Sequence, residues 1–118
     1  MGKIDPSLHV WSAKYRMPTD PVGTDRYVSP DYYRAEQDRI FKKSWLLLGR
    51  EEEIPAPGDF FVRELEVAGT SILVCRDRGG AVRAFHNMCR HRGNKVTFEP
   101  CGKVDGFVCP FHGWTYDL

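Results

Sequence analysis

Cys89-Arg90-His91-Arg92-Gly93 and Cys109-Pro110-Phe111-His112-Gly113-Trp114 are the two segments on which the reading of this 118-residue chain turns. Each offers one soft thiolate and one imidazole, as Cys-x-His and Cys-x-x-His, with 17 residues between His91 and Cys109. Either pair is short enough for one loop to hold both side chains against one metal centre. Gly93 and Gly113 follow the pairs, where the backbone must turn tightly without a Cβ in the way. Pro110 stiffens the second loop. Structural zinc also takes Cys and His, but its usual spacings pair Cys with Cys and His with His. Here each loop mixes the two types. Mixing suits a binuclear iron–sulfur cluster in which one iron takes both thiolates and the other both imidazoles. Cys89 and Cys109 would bind the first iron, His91 and His112 the second. A structural zinc module and four unconnected core residues are the competing readings.

That division of ligands is the Rieske [2Fe–2S] arrangement, and the residues around it carry a family resemblance. Cys-Arg-His-Arg-Gly and Cys-Pro-Phe-His-Gly-Trp-Thr-Tyr resemble the Rieske domain of the catalytic α subunit of the aromatic-ring-hydroxylating oxygenases. Asn87-Met88 and Asp117-Leu118 continue the likeness, which runs from about residue 27 onward. The resemblance implies an α+β, mainly β fold. A Rieske-type antiparallel β domain clamps the cluster between two loops, preceded by an N-terminal arm and one helix. It also implies a route for electrons: from NAD(P)H through a flavin reductase, a ferredoxin or both, to the cluster. From there they reach a mononuclear non-haem Fe(II) that activates O2 and oxidises an aromatic or related organic substrate. That iron, held by two His and one carboxylate, belongs to a catalytic domain for which this chain has no residues. No catalytic residue is therefore expected here, only His112 as the exit for the electron toward a neighbouring subunit in an α3 or α3β3 ring. The implied setting is the bacterial cytoplasm. Further strands follow the second loop in that family, so the chain reads as an N-terminal portion that stops before them. The alternative is a stand-alone Rieske ferredoxin, a carrier that has no use for a long arm and helix.

High-potential Rieske proteins of the cytochrome bc type carry an extra Cys in each loop and a Ser after His-Gly. The equivalent positions here are Asn94, Phe111 and Trp114. Without those devices the midpoint is expected below zero, at the low end of a class range of about −150 to +300 mV. Arg90 and Arg92 flank His91 and would either favour an acidic redox partner or solvate the loop. Trp114 and Tyr116 are expected to pack beneath the cluster.

Seventeen basic and 16 acidic residues leave a net charge of +1, so no whole-chain field argues for nucleic acid or an anionic membrane. No apolar run approaches the roughly 20 residues that span a bilayer, and the N-terminus lacks a secretory pattern. Gly2 is followed by Pro6 where myristoylation wants Ser or Thr. Cys75, Cys89, Cys101 and Cys109 are thus expected to be reduced.

Residues 1–28 read as an extended arm, with Trp11, Tyr15 and Met17 as anchors or local packing and no role for His9. Ser29-Pro30-Asp31 signals a helix that runs to Ser44, with Tyr33, Ile40 and Phe41 at helical spacing. Residues 45–118 read as the Rieske domain. Within it, 45–49 is an apolar run read as a buried strand, and Glu51-Glu52-Glu53 as acids facing water. Strands are expected over 60–65 and 70–76, a turn over 77–80, and a returning strand over 81–85 that buries Val82 and Ala84. Cys75 reads as a packed thiol and His86 as a structural or exposed histidine. Pro100 and Gly102 mark a turn, and Phe107-Val108 a short strand delivering Cys109.

Overall fold

Alternation builds the sheet, because successive side chains of a strand point to opposite faces. The computed structural model, which describes residues 14–16 and 21–118, places Phe60, Phe61 and Val62 in succession on β1, Asp59–Leu65. β1 pairs antiparallel with β2, Thr70–Arg76, in the register Phe60↔Cys75, Phe61↔Val74, Val62↔Leu73. β3, Val82–His86, pairs with the far side of β2, and β4, Cys101–Lys103, with the far side of β1. The order is β3-β2-β1-β4. A two-stranded ribbon follows, β5, Phe107–Val108, against β6, Thr115–Tyr116. The fold is mainly antiparallel β with little helix, as the resemblance implied.

The register sorts the core into two sides. Phe60, Leu73 and Cys75 pack with Val96, Phe107, Cys89 and Cys109. Phe61 and Val74 pack with Ile54, edged by Leu48 and Ile72. Phe60 meets Phe107 edge-on with ring centroids 5.2 Å apart, which ties the sheet to the ribbon. Burying one such side chain contributes roughly 1.5–3 kcal/mol. Gly58 opens β1 at φ +88, and a Cβ there would stand 2.4 Å from the Val104 carbonyl oxygen. The approach is close because Val104 N–H donates to Gly58 O and Gly58 N–H to Arg76 O.

The described residues divide into two units, one ending at Arg34 and one spanning Ala35–Leu118. Trp11, Met17 and His9 lie outside the described residues, and Tyr15 is exposed. The later part of the arm is not extended throughout, since α1, Asp25–Val28, forms there and Ser29 N–H closes onto Asp25 O. The helix expected to reach Ser44 is α-helical only over α2, Pro30–Arg39, and tightens to a 3-10 turn at Phe41–Lys43. Ser44 Oγ donates to Ile40 O at 2.8 Å, offering the last turn a side-chain partner instead of a further helical one.

Two apolar readings are corrected. Residues 45–49 form no strand: Trp45 and Leu47 are exposed and Leu46 and Leu48 half-buried. Both edges of β1 and both edges of β2 are already paired, so no central position is open to this run. β3 is exposed along its whole length, and Val82 and Ala84 bury no face, because no layer of residues 35–118 covers that edge. β4 was not foreseen either. It forms where Pro100 and Gly102 read as a turn. Cys101 lies opposite Phe61 and Cys75 opposite Phe60, on strands either side of β1. Two strand spacings are about 9–10 Å, too far for a disulfide, and all four cysteines are free.

Candidate metal centre

Two different elements present the two ligand loops. β3 runs out through Asn87 and Met88 into the first, and the β5–β6 ribbon is joined by the second. Both loops close in the same way. Cys89 N–H donates to Asn94 O at 2.7 Å and Gly93 N–H to Cys89 O at 2.9 Å. Cys109 N–H donates to Trp114 O at 2.8 Å and Gly113 N–H to Cys109 O at 2.9 Å. Each glycine stands four residues after its cysteine with positive φ, +75 and +74. A Cβ on either would meet nothing within 4 Å, so the requirement is conformational and not one of space.

The four side chains singled out by the sequence come together in two pairs, the thiols in one core cluster and the imidazoles side by side. Cys89 and Cys109 are each 2% exposed and pack in the same core cluster. His91 and His112 are exposed, with ring centroids 4.8 Å apart and planes at 71°. Thiols therefore line the inside and imidazoles the outside. Among the described residues no three His, Cys, Asp or Glu are placed to hold one ion; a centre with two ligands on each of two irons needs no such trio.

Tyr116 adds a contact that the sequence reading missed. It lies on β6 opposite Phe107, and its hydroxyl stands 3.0 Å from Cys89 Sγ. The same oxygen accepts Arg90 N–H at 3.0 Å, leaving its own proton for the sulfur. This bond is the largest influence holding the Cys89 thiol below its ordinary pKa, supported by the His91 and Arg92 amides and the Cys109 thiol. The same bond raises Tyr116. Thiolate is the ligand form of cysteine, so the loop is biased toward the state that binds metal. Burial instead pushes the Cys75 thiol up, which suits an inert packed residue.

Trp114 is beside the imidazoles and not beneath them. It is 49% exposed and stacks on the His91 ring at 4.9 Å with planes 5° apart. Phe111 lies against His112 at 3.9 Å, and the Arg92 guanidinium stands over Phe111 at 5.9 Å. His86 stays outside the cluster of candidate ligands; its Nδ1 is 2.9 Å from Thr70 Oγ1. The three consecutive glutamates serve the fold, each on an arginine: Glu51 on Arg76, Glu52 on Arg50 and Glu53 on Arg63. An apolar cleft of about 520 Å³ opens between Leu73, Phe85, Met88, Val96 and Tyr116, and none of the four candidate ligands lines it.

Residues 44–118 match the sequence profile of the Rieske [2Fe-2S] domain. The chain belongs to the Rieske [2Fe–2S] domain family. It is 42% identical over 92 residues to the glycine betaine monooxygenase oxygenase subunit of Pseudomonas aeruginosa, covering 78% of this chain and 21% of that one. It is 40% identical over 91 residues to the chlorobenzene dioxygenase α subunit of Cupriavidus sp., covering 77% and 20%. Among solved structures, naphthalene 1,2-dioxygenase from Rhodococcus sp. superposes with a TM-score of 0.76 at 41% identity, over 81% of this chain and 21% of that one. This Rieske domain is thus of the kind carried by oxygenase α subunits, and the chain spans about a fifth of the length of those relatives. No helix among the described residues is long and apolar enough to cross a membrane.

Proposed function

We propose that Cys89 and Cys109 ligate one iron of a Rieske [2Fe–2S] cluster and His91 and His112 the other. On this reading the chain is the electron-transfer portion of a terminal oxygenase. The observation that carries it is the pair of identically closed loops, which set two buried thiols in one core cluster and two exposed imidazoles side by side. The donor set fits the group: soft sulfur ligands are shielded from water, and nitrogen ligands face it. When bound, the cluster supplies one-electron transfer.

The chain's own residues account for the rest. The Tyr116 hydroxyl directs a hydrogen-bond donor at Cys89 Sγ, which favours negative charge on the sulfur. Each imidazole would use one nitrogen to hold the metal and leave the other free to donate outward to an acceptor. Of the two, His112 is the proposed exit toward an acidic residue of a neighbouring subunit. Arg90 and Arg92 offer positive charge beside His91 for an acidic donor, a ferredoxin or a flavin reductase. The domain division is residues 1–28 as an arm, 29–44 as a helical segment and 45–118 as the Rieske domain. A catalytic domain beyond these residues would hold mononuclear Fe(II), use O2 and bind the organic substrate. The names of a chlorobenzene dioxygenase and a glycine betaine monooxygenase among the relatives support an aromatic or related organic substrate. An α3 or α3β3 assembly in the bacterial cytoplasm completes the proposal.

Chemical analysis and EPR of the anaerobically purified, intact protein test it. Acid-labile sulfide and a rhombic signal on reduction are expected, with a midpoint below zero; a midpoint above about +100 mV would overturn the low-potential assignment. Cys89→Ser, His91→Ala, Cys109→Ser and His112→Ala should each abolish the signal, while Cys75→Ala and Cys101→Ser retain it.

A further inference from the structure

Asn87 is the one buried polar side chain among the described residues, at 3% exposure. Its Oδ1 accepts Val96 N–H at 3.0 Å and Thr97 N–H at 3.1 Å. Its Nδ2 donates to Thr97 O at 2.8 Å and lies 3.4 Å from Ser71 Oγ. Its own backbone N–H donates to Ser71 O at 2.8 Å. One carboxamide therefore joins the start of the segment 87–97 to its end and both to β2. The Ser71 hydroxyl carries the link onward to Glu64, which also takes the Lys95 ammonium at 2.6 Å. Cys89, His91 and the Arg90 amide that donates to the Tyr116 hydroxyl all lie inside the segment so closed.

We infer that Asn87 is a positioning residue for the first ligand loop: by pinning both ends of 87–97 it holds the Cys89 sulfur and the Arg90 amide on the Tyr116 hydroxyl and so sets the reduction potential of the centre. The inference rests on the cluster assignment proposed above. The physical reasoning is that a buried carboxamide with all its polar atoms engaged cannot be removed without leaving the Val96 and Thr97 amides unpaired. The loop then relaxes, and the Tyr116 hydroxyl bond to Cys89 Sγ, which stabilises the more negative, reduced centre, is lengthened or lost. Reduction becomes less favourable.

The test compares Asn87→Ala with Ile54→Ala in the intact, cluster-loaded protein. Ile54 is fully buried in the other core cluster and touches no ligand loop. Both variants should lower the thermal midpoint. Only Asn87→Ala should shift the EPR g-values and weaken reduction at least threefold, about 30 mV for one electron. If Asn87→Ala loses thermal stability but keeps the wild-type g-values and potential, the residue is merely structural and the inference fails. Should the alanine variant not retain cluster, Asn87→Asp is read by hydrogen exchange, since it keeps the acceptor for both amides and loses the bond to Thr97 O. Segment 88–97 should then exchange at least tenfold faster with segment 108–114 unchanged; equal rates in both proteins overturn the inference. A wild-type protein without labile sulfide sinks the cluster assignment itself, a separate result from an unmoved potential in a wild-type protein that has it.

Discussion

A hydroxyl 3.0 Å from Cys89 Sγ bears more strongly on the reduced centre than on the oxidised one, because reduction adds negative charge to the sulfurs. Tyr116→Phe removes that donor and leaves the ring in place. Its midpoint should fall by roughly 60 mV, a tenfold change for one electron, with the rhombic signal retained; redox titration followed by EPR measures it. Trp114 occupies the position where a high-potential protein has a hydroxyl donor, so Tyr116 is left as the hydroxyl donor on the Cys89 sulfur. The four candidate ligands were legible because metal binding needs particular atom types at short spacing. The role of Tyr116 was not, since its partner sulfur lies 27 positions away. Only the ribbon register, which pairs Tyr116 with Phe107, aims its hydroxyl at the first loop.

At the scale of elements, the strands show what periodicity can and cannot do. β1 and β2 were readable from their apolar runs, since each has a neighbour on both edges. β3 has the same pattern but lies at an edge, and 45–49 has a stronger apolar run with no edge to join. Apolar content states that a segment can be buried; pairing decides whether it is. Glycine makes the same distinction testable. Gly113→Ala meets only the left-handed backbone penalty, about 1–2 kcal/mol, because its Cβ would stand in open space. Gly58→Ala should cost more, since its methyl also meets the Val104 carbonyl at 2.4 Å. Urea denaturation of the two variants should rank them in that order, and equal costs would refute the steric account.

Five carboxylates among the described residues are shifted in one direction. Asp38 is held below the ordinary carboxylate range by Lys42, Glu52 by the Arg50 guanidinium and Glu53 by the Arg50 amide and Arg63. Glu64 is held down by Lys95 and Ser71, and Asp77 by Arg83 and the Ala81 amide. A depressed folded-state pKa stabilises above the unfolded value, about 4, and that gain fades as pH drops through the folded value. The thermal midpoint should therefore hold level from neutral pH to about pH 5 and decline below about pH 4. Asp77→Asn should make the acid decline shallower, which scanning calorimetry across that range would detect.

Sequence alone determined the chemistry of this protein: two Cys-and-His loops, the glycines that let them turn, and the paired strands whose alternation needs no distant information. These are local facts, because ligand type, spacing and backbone freedom are written within a few residues. Tertiary structure alone decided which runs are covered, that Asn87 closes the segment carrying Cys89 and His91, and that Tyr116 donates across from the second loop to the first. Those depend on contacts between residues far apart in the chain, and a strand's register or edge position exists only once its neighbours have formed.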